Sequence, residues 1–303
     1  MMLRWLPIFA PAVLALIISI VFNQSELTNP VIVLRMDLSA FVFVFGIILS
    51  IFAGIGLLVN DWVERRQVKS IVEAAQERRR FLSRLDHELK NPITAILAAI
   101  ANLRNGESTS ERGQSVSSIE TQMNRMRTLV GDLRKLAELE TRAVDLEPVN
   151  MDELLQDNFA LIKQRPEAKQ RAWSLSIPQA PWPLPQVLAD RDLLFLAVHN
   201  LIDNALKFTH PGDTIELRAY EDSARVVIEV ADTGPGIPED ELPQVWDELY
   251  RGDTTRGIPG SGLGLALVRA IITRHNGDVS VRSRAGQGTV FSMQLPVVEV
   301  TKR

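Results

Sequence analysis

The chain has 303 residues, enough for about two domains at roughly 100–200 residues each. Its 33 Lys and Arg stand against 37 Asp and Glu, a formal net charge of −4. The basic surplus that nucleic-acid binding requires is missing, so nucleic acid is not the expected partner. With no cysteine in the sequence, disulfides, thiolate chemistry and zinc–cysteine sites are excluded.

The apolar residues gather at the N-terminus. Trp5 to Phe22 is an uncharged run of 18 residues and Leu38 to Val59 one of 22. At 1.5 Å per residue they reach roughly 27 and 33 Å, close to a bilayer core. A cleaved leader followed by one anchor is the alternative, but no clear small-x-small cleavage site follows the first run. Two spans, 5–22 and 38–59, are therefore expected, joined by a short external loop, 23–37, too small for a ligand-binding domain. Arg65, Arg66 and Lys69 directly follow the second run, which places everything beyond residue 60 in the cytoplasm.

From Val68 the apolar residues fall at Val68, Ile71, Ala75, Leu82, Leu85 and Leu89, with Arg78 as the one breach. That 3–4 spacing predicts a signalling coiled coil over 61–80 that continues as a dimer seam. A single amphipathic helix packed on its own domain is the alternative. In the coiled-coil register His87 takes an f position and faces water. A second helix is expected from Glu111 to Thr141, with Ile119, Met123, Met126, Val130, Leu133 and Leu136 on one side. Two such helices per chain, doubled by a dimer, make a four-helix bundle over 81–145.

Beyond residue 150 the pattern changes. A helix is expected near Met151, a Pro-rich stretch from Pro178 to Pro185, then a helix from Ala189 to Phe208. Thr214–Tyr220 and Arg225–Ala231 read as a hairpin, Gly262–His275 as a helix, and Asp278–Arg282 with Val290–Leu295 as closing strands. Strands interleaved with long helices predict a two-layer α+β sandwich over 150–298.

Three clusters carry chemistry. In Asp86-His87-Glu88-Leu89-Lys90-Asn91-Pro92, an exposed imidazole can accept a phosphoryl group while Glu88 orients the ring or takes its proton. Asn91, one turn on, can hold a water for the hydrolytic step, and Pro92 should kink the helix. In the second cluster Asn200, Asn204 and Lys207 lie at i, i+4 and i+7 on one helix face. Amide oxygens suit Mg²⁺ and a lysine suits phosphates, although a solvated face reads the same way. The third cluster is glycine-rich: Asp232-Thr233-Gly234-Pro235-Gly236-Ile237-Pro238 after a strand, and Gly260-Ser261-Gly262-Leu263-Gly264 opening a helix. Glycines admit close backbone approach to a phosphate, and a helix N-terminus favours anions. An aspartate at a strand end can accept from a base amino group. Neither the Walker A pattern nor the dinucleotide fingerprint occurs.

Taken in order, these segments resemble the H, N, G1 and G2 boxes of bacterial two-component sensor histidine kinases. Val245-Trp246-Asp247-Glu248-Leu249-Tyr250-Arg251 resembles their F box, and the likeness runs from about Ala74 to Val298. The resemblance implies a membrane-bound homodimer in the bacterial inner membrane. Its catalytic part would be an ATP-binding domain of the Hsp90-like type in the cytoplasm. It implies autophosphorylation of His87 from ATP with Mg²⁺, transfer to the aspartate of a response-regulator receiver domain, and phosphatase activity toward that regulator.

Carried over residue by residue, Asn204 binds Mg²⁺ with help from Asn200. Lys207 and Arg251 contact phosphates, and Phe208 fills the aromatic position beside the lysine. Asp232 reads the adenine amino group, Thr289 approaches the base, and Gly234, Gly236, Gly262 and Gly264 shape the pocket with Ile237, Gly260 and Leu263. Asp253 to Pro259 would form a mobile lid. Trp246 and Glu248 depart from the family's F box, leaving Arg251 as its phosphate contact. The 27 residues between Val59, the end of the second span, and His87 leave no room for a HAMP relay. His199, His210 and His275 read as structural or surface residues.

Overall fold

The computed structural model describes residues 38–104, 109–178, 183–252, 258 and 260–297. The chain divides into two compact units, 1–73 and 74–303. The first span and the external loop of the sequence reading lie outside the described residues. The second falls at the start of helix α1, Leu38–Arg104. Among the described residues no helix is long and apolar enough to cross a membrane.

In the second unit, α1 from Ala74 onward and helix α2, Thr109–Thr141, are the two helices of a hairpin. Pro92 lies inside α1 without ending it. Proline removes one i→i−4 hydrogen bond, a loss that the helix tolerates here with the ring buried. Asn102 to Gly113 holds two glycines that would break a helix, yet α1 runs to Arg104 and Gly113 already lies within α2. Leu85 and Leu89, expected in a dimer seam, pack with Phe81, Leu133 and Leu136 around buried Leu129, Leu249 and Leu263. Val68 at 60% and Leu82 at 54% remain exposed.

A two-layer sandwich follows. Strand β1 (Glu147–Val149) pairs antiparallel with β3 (Val187–Ala189). Between them come α3 (Met151–Lys163), a 3-10 turn (Pro166–Gln170) and β2 (Ala172–Ser176). Helix α4, Arg191–Phe208, starts two residues later than its apolar pattern suggested. Ala189 is spent in β3, and Asp190 caps the helix by accepting from the amide of Leu193 at 3.1 Å. Then come β4 (Thr214–Asp222), β5 (Arg225–Asp232), a 3-10 turn (Leu242–Gln244), α5 (Gly264–Arg274), β6 (Asp278–Arg284) and β7 (Gly288–Pro296). The main sheet has the order β2-β4-β5-β7-β6, with β2 parallel to β4 and all other pairs antiparallel.

The three helices cover one face of this sheet. Leu154 and Leu155 of α3, Leu201 and Ile202 of α4 and Leu267 and Ile271 of α5 share a core with Ile228 of β5 and Met293 of β7. Burying each such side chain contributes roughly 1.5–3 kcal/mol. His275, buried, locks two helices together. It accepts at Nε2 from the amide of Asp190 at 3.0 Å, and its Nδ1 lies 2.8 Å from the carbonyl of Ile271. His210 is exposed; both histidines are structural or surface residues, as the sequence implied.

Candidate functional site

Helix α4 and the ends of β5 and β7 bring most of the predicted residues together. Asp232, the last residue of β5, stands opposite Thr289 of β7 in register. Its Oδ1 accepts from the amide of Gly234 at 2.9 Å. Burial is the main cause that pushes the Asp232 carboxyl above its ordinary value; hydrogen bonds from the Gly234 and Thr289 amides oppose it, and Asp213 adds to it. Thr289 Oγ1 lies 2.9 Å from Ser283 Oγ, and Ser283 Oγ accepts from the amide of Ile237 at 2.8 Å. Strand ends, not loops, therefore place the acceptor and the hydroxyl.

The first glycine loop folds back over this end of the sheet. Gly236 has φ +69°, a left-handed conformation, and a Cβ there would run into the carbonyl of Arg284. Gly234 sits under the C-terminus of α4, where an added Cβ would lie 3.2 Å from the Phe208 carbonyl. In the second loop Gly262 has φ +73° and its carbonyl accepts from the amide of Leu249 at 3.0 Å. Leu249 itself has φ +59°, a backbone state that costs a bulky residue on the order of 1–3 kcal/mol. Gly260 has open space around its Cα, and Leu263 is buried at 1% exposure.

Asn200 and Asn204 lie half-buried on one face of α4, with Lys207 a turn further on. The amide nitrogen of Asn200 donates to the carbonyl of Leu196 at 2.8 Å, which leaves its Oδ1 turned toward α5. That oxygen would lie 3.1 Å from a Cβ on Gly264, so only glycine leaves room beside it. Helix α5 begins without a side-chain cap, and its first amides are available to an anion. Lys207 Nζ pairs with Asp203 Oδ2 at 2.6 Å, and Asp203 Oδ1 also binds Arg165 at 2.6 Å.

Among the described residues no group of three or more His, Asp or Glu could hold a metal. The donors present are amide oxygens beside a phosphate-suited lysine. That set fits Mg²⁺, which keeps waters and takes few protein ligands alongside substrate phosphates.

His87 is exposed on α1 and Asn91 is exposed one turn later. Glu88 does not reach across to the ring of His87. Adjacent helix residues point to different sides, and Glu88 Oε2 instead pairs with Arg125 of α2 at 2.6 Å. Arg251 donates to the carbonyl of Ile258 at 2.6 Å. Burial, and then Arg125 nearby, lower its guanidinium below the usual range, against the pull of Glu88. Arg251 thus lies near Glu88 and Arg125 of the hairpin. Asp253 to Pro259, read as a lid, lie outside the described residues except for Ile258.

The structure adds residues that no motif marked. Arg84, one turn before His87, donates to the carbonyl of Glu248 at 3.0 Å and to Asp247 Oδ2 at 3.2 Å, and lies over the ring of Tyr250. Ser261, inside the second glycine loop, donates to Asp132 of α2 at 2.7 Å. The hairpin thereby holds both the 247–250 segment and the second glycine loop.

Comparison with known proteins agrees with this geometry. The family model described as the His Kinase A (phospho-acceptor) domain matches residues 77–142, over the hairpin. The one described as the histidine kinase-, DNA gyrase B- and HSP90-like ATPase matches residues 189–299. The chain belongs to the two-component sensor histidine kinases. As a histidine kinase family member it is 32% identical to the alginate biosynthesis sensor protein KinB of Pseudomonas aeruginosa, over 80% of this chain and 40% of that protein. It is 33% identical to the adaptive-response sensory kinase SasA of Synechococcus sp. (strain JA-3-3Ab), over 79% of this chain and 64% of that one. The chain therefore spans less than two thirds of the length of these relatives. Among solved structures, full-length ShkA in complex with AMPPNP matches 72% of this chain and 45% of its own length at 31% identity, with a TM-score of 0.50.

Proposed function

We propose that this chain is an ATP-dependent protein histidine kinase that phosphorylates its own His87 and then passes the phosphoryl group to a response-regulator aspartate. One observation carries the reading. The same unit presents an exposed imidazole on a helix and a sandwich in which the first glycine loop lies against Asp232 and the end of α4 while the second lies against Asn200. The AMPPNP bound by the relative ShkA supports a nucleotide at that junction.

In this reading Asp232 accepts from the adenine amino group, with Thr289 beside the base. Lys207 and Arg251 take the phosphates, and Asn204 with Asn200 would hold Mg²⁺, whose chemistry there is neutralisation of phosphate charge. A ring nitrogen of His87 attacks the γ-phosphorus in line, and the bond to the bridging oxygen breaks to release ADP. Glu88 takes or steers the ring proton once it leaves Arg125. Transfer to a receiver-domain aspartate regenerates the imidazole. Asn91 holds the water that hydrolyses the phosphorylated regulator.

The chain acts as a homodimer anchored in the bacterial cytoplasmic membrane. Exposed Leu97 at 61%, Met123 at 55% and Val130 at 57% on the hairpin support a partner helix pair. The uncharged runs 5–22 and 38–59, followed by Arg65, Arg66 and Lys69, support the anchor and its orientation.

The test is incorporation of label from γ-³²P-ATP with Mg²⁺ by the parent, His87→Ala and Asn204→Ala. An acid-labile, base-stable phosphate on the parent alone supports the reading. ATP hydrolysis without labelling, unchanged by His87→Ala, would sink it in favour of a simple ATPase.

A further inference from the structure

The carboxylate of Asp203 sits between two cations of different origin. Lys207, four residues on in α4, binds Oδ2, and Arg165, from the turn after α3, binds Oδ1, both at 2.6 Å. The Asp203 side chain is only 18% exposed, so neither partner is a fully solvated surface ion. The second arm of Arg165 lies 3.1 Å from Nε2 of His199, one turn before Asp203. The guanidinium has only protons to offer, so Nε2 accepts and the ring adds no charge.

We propose that Arg165, acting through Asp203, is a positioning residue for the phosphate-binding lysine, Lys207. This rests on the reading that Lys207 contacts the phosphates of ATP. Without Arg165, Lys207 and Asp203 would form a neutral i, i+4 pair, and a phosphate would have to strip the lysine from a half-buried carboxylate left with no partner. With Arg165 in place the cluster holds two positive charges against one negative. Asp203 remains bound when Lys207 turns to the phosphates, so the ammonium is released at lower cost. Arg165 brings a guanidinium that stays charged and makes two directed contacts at once, one to Asp203 and one to His199. The turn Pro166–Gln170 follows it directly and starts with proline, which fixes where the arginine leaves the chain.

A purely structural role would tie the end of α3 to α4 and nothing more. The two roles separate by ligand. Binding of ATP, ADP and adenosine to the full-length chain is measured by calorimetry with Mg²⁺ for the parent, Arg165→Met, Arg165→Lys and Asp232→Asn. Positioning predicts that Arg165→Met weakens ATP about tenfold, ADP less, and adenosine not at all, with Arg165→Lys restoring part of the loss. In autophosphorylation the same variant should raise KM for ATP while kcat holds. Equal weakening of ATP and adenosine, or an ATP affinity unchanged by Arg165→Met, overturns the proposal. Asp232→Asn separates the two failures. If it leaves ATP affinity intact, the nucleotide pocket is misread and the proposal falls with it. If it abolishes binding while Arg165→Met leaves the ATP-to-adenosine ratio unchanged, the proposal alone fails.

Discussion

Glu88 and Arg125 form an ion pair at 2.6 Å between the two helices of the hairpin, so the carboxylate next to His87 is already engaged. Both side chains are largely covered, at 19% and 30% exposure, and the pair is not the weakly coupled kind found on open surfaces. Under the proposed reading it must open before Glu88 can serve the His87 ring. Arg125→Met is expected to raise the initial labelling rate at saturating ATP severalfold with KM unchanged. Glu88→Gln should cut that rate on the order of 10²-fold or more. A fall in rate for Arg125→Met would show that the arginine helps the reaction directly.

Asp232 gives two pH responses of opposite sign. Burial raises its carboxyl above the ordinary value, so the folded state binds this proton more tightly than the unfolded chain. Its contribution to stability is present below the ordinary aspartate value and is lost as pH rises through the raised one. Under the proposed reading, acceptance from the adenine amino group needs the ionised form. On acidification, ATP affinity should begin to fall at a higher pH than an ordinary aspartate would give, while this group's share of stability grows. Titrating ATP binding between pH 4 and 7 for the parent and Asp232→Asn checks it, since the variant should bind at least tenfold more weakly and show a flatter profile.

His199 pulls the other way. Burial first, then Arg165, lowers its ring below the ordinary value; Asp203 opposes this, and Lys207 and Lys135 add to the lowering. The neutral ring is the one that accepts from Arg165. Stability from this group is full above the ordinary histidine value of about 6.5 and is lost as pH falls through the lowered one. His199→Gln should flatten the fall in Tm below pH 6.5, measured by thermal denaturation across that range.

The tight turn between β4 and β5 holds two left-handed residues without glycine, Ser223 at φ +50° and Ala224 at φ +63°. Asp222 and Arg225 pair directly across it, the geometry of a two-residue hairpin that favours Asn-Gly. Replacing Ser223 by Asn and Ala224 by Gly is expected to stabilise the domain by about 1 kcal/mol. Denaturant unfolding reads this as a higher midpoint at an unchanged slope.

Much of the sandwich could be read in advance because its signals are local. β4 alternates, β5 is a short apolar run of β-branched residues, and Asn200, Asn204 and Lys207 announce themselves by helical spacing. Residues β1, β2 and β3 contribute were not legible. Ala172-Trp173-Ser174-Leu175-Ser176 is short and half small residues, with only Trp173 and Leu175 turned inward, and β1 and β3 have three residues each. The start of α4 is ambiguous in the sequence because Ala189 suits either element, and only Asp190 marks the cap. Polar ties between distant positions left no trace at all: Arg84 and Asp247 lie 163 residues apart, and Ser261 meets Asp132 across 129. The Asp203–Lys207 pair had a signal, the i, i+4 spacing, whereas Arg165 had none.

Asp232 and Thr289 occupy facing positions on adjoining strands, so their separation is set by the hydrogen-bond ladder rather than by any loop. Asn200, Asn204 and Lys207 ride on a helix, and Arg251 follows the irregular segment 245–250. The site therefore has one part set by a strand ladder and another set by an irregular segment. The ladder fixes a constant gauge between its two residues. Adjustment is left to the segment that carries Arg251, which Arg84 of the hairpin holds at Asp247 and Glu248.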